Sequence, residues 1–326
     1  VLAQWRTQEL ALEIAKRRTY PASSVQTRSL GQNVKPAYIL ESEDHQHSLL
    51  YGFNYEGGGF ILVSGCEYTP EVLGYADNGY LPNRSEDMPE GLQYLMNVYQ
   101  KQIEVAADKM ETRALPAAPK RQEIIPLITS QWNQSEPYNN QCPQKCLVGC
   151  VAVSMGQILN YYKWPLTAQG SHNGYDFSNK TWNWGLILDS YNNNQYTQEE
   201  ADEVAQLLHL AGESVDMLYG AGASSASPHT MLRSLHEYWK YDGGMHVANR
   251  DCYTDEEWTQ ILYQELAESR PIPYSGHGTN MGHVFLIDGF KDGLFHVNWG
   301  WNGNDNGWYA ITSLMIDSDY DFRYNQ

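Results

Sequence analysis

The chain has 326 residues, of which 42% are hydrophobic, so it is long enough for two domains with substantial cores and has an ordinary globular composition. A formal net charge of -18 and a pI near 4.8 exclude DNA or RNA as the main partner. No apolar run approaches the roughly 18 residues that cross a bilayer as a helix, so no transmembrane segment is expected. Residues 3–18 alternate apolar and polar positions at helical spacing, and the break at Pro21–Ser24 ends that element. Strand-like runs follow at 37–40, 48–53 and 60–64, the last two joined by a turn at Gly57-Gly58-Gly59. Residues 91–110 return to helical period, with Leu92, Leu95, Met96, Tyr99 and Ile103 on one face. Together these make an α+β unit over 1–111.

Residues 112–122 carry two prolines, small residues and the basic residues Arg113, Lys120 and Arg121, without any period. Composition alone reads this stretch as an exposed interdomain tether, the kind of segment proteases cut. The second unit, 123–326, opens with Ile124-Ile125-Pro126-Leu127-Ile128 and a polar loop at 130–140. A helix is expected from Cys150, further helices at 198–212 and 229–239, and one at 255–268 whose Thr254 and Glu257 form a capping box. The tail reads as strands at 271–274, 283–290, 294–299 and 307–311. There are no internal repeats. The chain begins at Val1, which suggests a processed or trimmed secreted product, and its 24 tyrosines and 10 tryptophans gather with Gly and Asn in polar loops.

Five cysteines, an odd number, leave at least one thiol unpaired. Cys142, Cys146 and Cys150 are spaced CxxxCxxxC, but no second cysteine pair or nearby histidine pair completes a zinc site, and no metal or other cofactor is expected. A Cys142–Cys146 disulfide and free thiols both remain open. Cys150 follows Gly149 at the start of an apolar helical run, where unpaired N–H groups and the helix dipole stabilise a thiolate. Of ten histidines, His283 is the best placed base: it follows Gly282 at the head of an apolar strand, and 283 − 150 puts it 133 residues after the thiol. That lies inside the roughly 130–150 residue spacing of papain-like cysteine and histidine. His277, in a Gly-rich loop nearby, is the competitor. The following segment, Asn298-Trp299-Gly300-Trp301-Asn302-Gly303 running to Asn306-Gly307-Trp308, supplies an orienting group in the order such chemistry uses.

These motifs resemble the streptopain family of papain-like cysteine peptidases. The likeness rests on Gly149-Cys150-Val151-Ala152 with Gln157-Ile158, on Ser214–Met217 with Tyr219-Gly220, on Gly282–Gly289, and on Val297–Trp301. It reaches the first unit through Gly58–Gly65 and Thr69–Tyr75, which are similar to the propeptide of these proteases. The resemblance implies a papain-like α+β fold, a helical subdomain plus an antiparallel β subdomain, preceded by an α+β propeptide. It implies a bacterial cysteine-type endopeptidase, secreted, cell-surface or periplasmic, made as an inactive zymogen and monomeric. Protein or peptide substrates would be its targets, its own propeptide its intramolecular inhibitor, and 112–122 its activation segment. It assigns Cys150 as nucleophile and His283 as base, with the Cys150 backbone N–H and the Gln134 side chain as oxyanion donors. Trp299 or its backbone orients and shields the imidazole, with Asn298 as the alternative. Gly282, Ser225, Trp301, Val215 and Met217 are expected to bind substrate. The rival readings are another Cys-His acyl-transfer enzyme, such as a transglutaminase or amidase, and a non-catalytic binding protein on a protease scaffold.

Overall fold

The structure, a computed structural model, describes residues 5–17, 33–109, 121–277 and 282–311. In the front unit, helix α1 (Gln8–Arg17) precedes four strands, β1 (Val34–Glu41), β2 (Ser48–Tyr55), β3 (Phe60–Ser64) and β4 (Val72–Ala76), and the long helix α2 (Glu90–Lys109) closes it. Alternation along β2 and β3 sorts their side chains between two covers. Tyr51, Phe53, Tyr55, Ile61 and Val63 pack with Ala11, Ile14 and Ala15 of α1. Leu50, Phe60 and Leu62 fall in the cluster that holds Leu92, Leu95, Met96, Tyr99 and Ile103 of α2. The face expected from the sequence is therefore the buried one. Gly57, Gly58 and Gly59 all have positive φ (95°, 107° and 92°), the conformation that makes glycine the natural choice for this turn.

The rear unit has a helical half and a sheet half. The helical half holds α3 (Cys150–Tyr162), a two-residue hairpin of β5 (Ser171–His172) and β6 (Tyr175–Asp176), α4 (Gln198–Ser214) and α5 (Pro228–Glu237). Every residue of α3 from Val151 to Asn160 is buried, as befits a helix that is apolar nearly all round. After α6 (Asp255–Ala267), whose Thr254–Glu257 capping box is formed as expected, come β7 (Ile272–His277), β8 (Gly282–Lys291), β9 (Leu294–Asn298) and β10 (Gly307–Tyr309). Ile124–Ile128 adds no full strand; Ile124 makes an isolated bridge to Phe290.

The two units share one eight-stranded antiparallel sheet, in the order β1-β2-β3-β4-β10-β9-β8-β7. The seam is β4 against β10, with Gly74 opposite Tyr309 and Ala76 opposite Gly307. One apolar cluster crosses it, joining Leu62, Leu92 and Tyr99 to Trp258, Phe285, Trp299 and Tyr309. Tyr99, fully buried on α2, gives its hydroxyl hydrogen to Leu73 O (2.9 Å) and Ala310 O (3.1 Å) across the same seam. A fold of two α+β parts was expected; a common sheet and core, which make the front unit more than a tethered neighbour, were not. All five cysteines are free thiols, so the disulfide option for Cys142 and Cys146 is not taken up.

Candidate active site

Cys150 is the first residue of α3, and Gly149 caps the helix with φ 90°. A side chain at Gly149 would also meet Met217 Sδ at 2.6 Å, so both backbone conformation and close approach require glycine there. The approach to the thiol is tied down from two sides. Gln134 accepts the Val148 N–H on its backbone oxygen (3.0 Å) and the Gly149 N–H on Oε1 (3.1 Å). From the loop at 220–225, Gly220 O accepts the Leu147 N–H, and Ser224 Oγ donates to Leu147 O (2.6 Å). With its amide oxygen engaged, Gln134 keeps its two Nε2 hydrogens as the free donors of that side chain. Burial pushes the Cys150 thiol pKa up, and the charge of Glu90 adds to this; the backbone N–H groups of Val284 and Val151, and its own, act in the opposite direction.

His283 heads β8 and is 6% exposed. Its Nε2 lies 3.0 Å from the Trp299 carbonyl oxygen. A carbonyl only accepts, so Nε2 carries the proton, and in the neutral ring Nδ1 is left as the basic nitrogen. Burial brings the imidazole pKa down to about 4, partly offset by that hydrogen bond. Burial thus disfavours the charged form of both groups in this form of the protein. Trp299 is 1% exposed, with Nε1 on Asp305 O (3.0 Å). Trp301, half-buried, stacks on Trp299 (5.2 Å between centroids) and on the His283 ring (5.0 Å).

Asn298 does not reach the imidazole. Its Oδ1 accepts the Gly300 N–H (3.1 Å) and its Nδ2 donates to Ser130 O (2.9 Å). The direct contact to His283 is made by the Trp299 backbone, one of the two alternatives the sequence left open. Among the expected substrate contacts, Gly282 and Ser225 are exposed, the latter exchanging backbone hydrogen bonds with Leu218. Met217 reaches Gly149, next to the thiol. Val215 is a correction: it is fully buried in the helical core and offers no wall to a cleft. The chain turns at the exposed Asp216 (φ 58°), and Val215 and Met217 on either side of it both pack in that core, Met217 with its sulfur toward Gly149. Ser224, not singled out from the sequence, is the residue that fastens the small-residue loop to the nucleophile's approach; no motif marks it apart from its serine neighbour.

The front unit lies over the sheet half of this site. A Cβ added to Gly91, in the first turn of α2, would stand 2.5 Å from Trp299 Cζ3 and 3.1 Å from His283 Cδ2. The helix backbone thus rests on the rings themselves. Tyr94, one turn on, packs against Gly276 of β7 in the same way. Of the expected cleavage residues, Arg113 and Lys120 lie outside the described residues. The Arg121 side chain is only 8% exposed, bonded to Glu256 and to Gln260 Oε1 (3.1 Å) and laid over the Tyr263 ring of α6. Side-chain detail at His277 is likewise outside the described residues. Among the described residues no cluster of three or more His, Cys, Asp or Glu side chains is arranged to hold a metal ion, and no helix is long and apolar enough to cross a membrane.

Residues 132–309 match the Peptidase C10 family and residues 3–103 match the Spi protease inhibitor family. The thiol protease/hemagglutinin PrtT of Porphyromonas gingivalis is 30% identical over 329 residues, an alignment covering 90% of this chain and 37% of that longer protein. Streptopain of Streptococcus pyogenes is 30% identical over 302 residues, covering 82% of this chain and 75% of streptopain. Among solved structures, prointerpain A of Prevotella intermedia superposes with a TM-score of 0.74 at 28% identity, covering 90% of this chain and 96% of that one. Active interpain A gives 0.54 at 34% identity, covering 60% of this chain and 92% of that one. With Cys150 at a helix N-terminus, a carbonyl-oriented histidine at the head of β8 and an inhibitor-like unit laid over that histidine, the chain belongs to the peptidase C10 family of cysteine proteases and carries the propeptide of a zymogen.

Proposed function

We propose that the chain is the latent form of an endopeptidase that works through a Cys150–His283 dyad and a covalent acyl-enzyme, outside the cell or in the periplasm. The observation that best supports the dyad is the tautomer of His283. With Nε2–H committed to Trp299 O, Nδ1 is the nitrogen available to the thiol. In the active form Nδ1 holds the Cys150 proton while the thiolate attacks the peptide carbonyl, and the imidazolium then gives that proton to the leaving amine; water, activated by the same nitrogen, hydrolyses the thioester. The Cys150 backbone N–H and Gln134 Nε2 are the donors we assign to the oxyanion. Gly282, Ser225, Met217 and Trp301 are assigned to the peptide, which binds as an extended segment.

Latency, in this reading, is a matter of solvation. The first turn of α2 keeps His283 and Trp299 dry, so the imidazolium that would partner a thiolate is disfavoured. Because Arg121 is already taken up by α6, we assign the activating cut to the residues before it. The chain acts alone, on protein substrates, with its front unit as inhibitor. The test follows the intact mass of the full chain with time, wild type beside Cys150→Ala. Self-processing to a form beginning near residue 121, casein hydrolysis by that form alone, and E-64 label on Cys150 are expected. Processing or hydrolysis by Cys150→Ala, or label on Cys142 or Cys252 instead, would overturn the assignment.

A further inference from the structure

The peptide unit between Trp299 and Gly300 is held at both ends. Its oxygen accepts from His283 Nε2 at 3.0 Å, and its N–H donates to Asn298 Oδ1 at 3.1 Å. Asn298 is in turn face to face with Gln157. Asn298 Nδ2 donates to Gln157 Oε1 (3.3 Å), and Gln157 Nε2 lies 3.5 Å from Asn298 Oδ1. Ser130 closes the group, with Oγ donating to Gln157 Oε1 (3.0 Å) and its carbonyl oxygen accepting from Asn298 Nδ2 (2.9 Å). Gln157 is 1% exposed and Asn298 2% exposed. Gln157 sits seven residues after Cys150, two helical turns along α3.

We propose that Gln157 and Asn298 are positioning residues for the reaction, acting on the His283 imidazole through the Trp299–Gly300 peptide. The inference rests on the Cys150–His283 reading and adds to it how the two groups are kept in register. A hydrogen bond to an amide N–H draws electron density toward that amide's oxygen, so the bond from Asn298 makes Trp299 O a better acceptor. A better acceptor at Nε2–H favours the imidazolium that partners the thiolate. The relay also closes a circuit. It leaves Cys150 along α3 to Gln157, crosses to Asn298 and the Trp299–Gly300 peptide, reaches His283, and returns through Val284, whose N–H acts on the thiol.

Burying two carboxamides in a core is unfavourable unless their polar atoms are partnered. Here each amide nitrogen and oxygen has a partner among the others, Ser130 or Gly300. An apolar residue would fill the place of Gln157 on a helix whose neighbours Val153, Met155, Ile158 and Leu159 are all apolar. The polar choice makes sense if it fixes the direction of one peptide group. A cavity of about 150 Å³ behind the helix, lined by Ser130, Gln157, Asn160 and Lys163 among others, provides a matched control. Asn160 is as buried as Gln157 (3% exposed) and lines the same cavity, but it pairs with Lys163 Nζ and not with the relay.

The experiment compares Gln157→Met, which keeps length and removes hydrogen bonding, with Asn160→Ala and Cys150→Ala. Each is made as the full chain, activated by limited proteolysis and assayed on a fluorogenic peptide across pH. Gln157→Met is expected to lower kcat roughly 10–100-fold with KM nearly unchanged, the signature of a misplaced reacting group. It should also move the alkaline limb of kcat/KM, which reports loss of the imidazolium, about half a unit toward acid. Asn160→Ala should leave that limb in place. If Gln157→Met does not fold, Ser130→Ala removes only the outermost donor and decides by the same limb, with a smaller shift in the same direction. Equal losses in Gln157→Met and Asn160→Ala without a limb shift, or a wild-type profile in Gln157→Met or its substitute, would overturn the relay. If Cys150→Ala is inert in the same assay, only the relay falls; an active Cys150→Ala removes the dyad reading beneath it.

Discussion

On the helical side of the site, Cys150 and Gln134 are fixed by contacts inside the peptidase unit: Gln134 to Val148 and Gly149, and Ser224 to Leu147. On the sheet side, His283 and Trp299 are fixed by β8 and the loop after β9, but their surroundings are completed by Gly91 of the front unit. In the proposed reading, removing the front unit leaves the backbone frame of Cys150 as it is and changes the medium around His283. In the latency we propose, the front unit acts chiefly through the medium around His283, with the charge of Glu90 also felt at the thiol. A dry imidazole at about pKa 4 is a poor partner for a thiol whose own pKa burial has raised. A cut before Arg121 severs neither the β4–β10 seam nor the shared core, so separation of the units is a second step after the cut.

The largest effect is expected where the comparison is simplest, on the helical side. Gln134→Ala in the activated enzyme should lower kcat by about 10²–10³, the loss typical of one oxyanion donor. Its effect on latency should be nil, because its hydrogen bonds among the described residues all lie within the peptidase unit. A Gln134→Ala chain whose front unit is also released early would show that the two sides are not independent.

Acid should act through the groups that the closed form buries. His283 is pushed down from its ordinary value to about 4, so between roughly pH 6.5 and 4 an unfolded or uncovered histidine takes up a proton that the covered one refuses. Stability of the covered form is thus present above pH 6.5 and lost as pH falls toward 4, by on the order of 3 kcal/mol from this group. Glu90 and Asp305 work the other way. Burial raises both, Asp305 to about 6, so their charged forms are disfavoured in the closed form and they favour it as pH falls. Denaturant unfolding of the full chain at pH 4.5 and 7.5, wild type beside His283→Gln, isolates the histidine. The acid loss should be larger in wild type by that amount, and an identical loss in both would break the solvation account.

How much of this was legible in the sequence follows from which signals are local. Cys150 after glycine at a helix start, His283 at a strand head and the buried face of α2 are all local patterns, and the structure has them where they were read. Strand β4 was not legible. Gly74 sits in its middle and Pro70 just before it, and it becomes a strand because β3 and β10 pair with it. Val215 was misread for a related reason: the turn at Asp216 that faces it inward follows from the end of α4, not from any period. Asn298 was the alternative to Trp299 as the group that orients the histidine, and its bond is to the far side of the peptide whose oxygen meets the imidazole. Gln157 stood in the motif that carries the family likeness, but its contact to Asn298 joins residues 141 apart in the chain and no local pattern shows it.

Cover and latency can be pulled apart at Gly91. Trp299 is too buried to yield, so Gly91→Leu must push the start of α2 away from it. We expect about 1–3 kcal/mol of overpacking, seen as a lower denaturation midpoint of the full chain. Cys150→Ala as background prevents self-digestion from confusing that measurement. In the otherwise wild-type chain, labelling of Cys150 by iodoacetamide at pH 7 should quicken before any cut. Unchanged labelling would mean that α2 is a passive neighbour of the rings.

The smallest effect is expected at the seam, away from both reacting groups. Tyr99 spans β4 and the residue after β10 with one hydroxyl, and Leu73 O already accepts the Ala310 N–H at 2.8 Å. Tyr99→Phe keeps the ring in the shared core and removes only the hydroxyl. The loss is about 1 kcal/mol, the net worth of a buried hydrogen bond whose acceptors are otherwise paired or peripheral. It should appear as faster release of the front unit from cut chain on a sizing column, with labelling of Cys150 in uncut chain unchanged. Faster labelling in the uncut Tyr99→Phe chain would show that seam and cover open together, and that the sheet joining the two units, rather than the first turn of α2, is what keeps His283 dry.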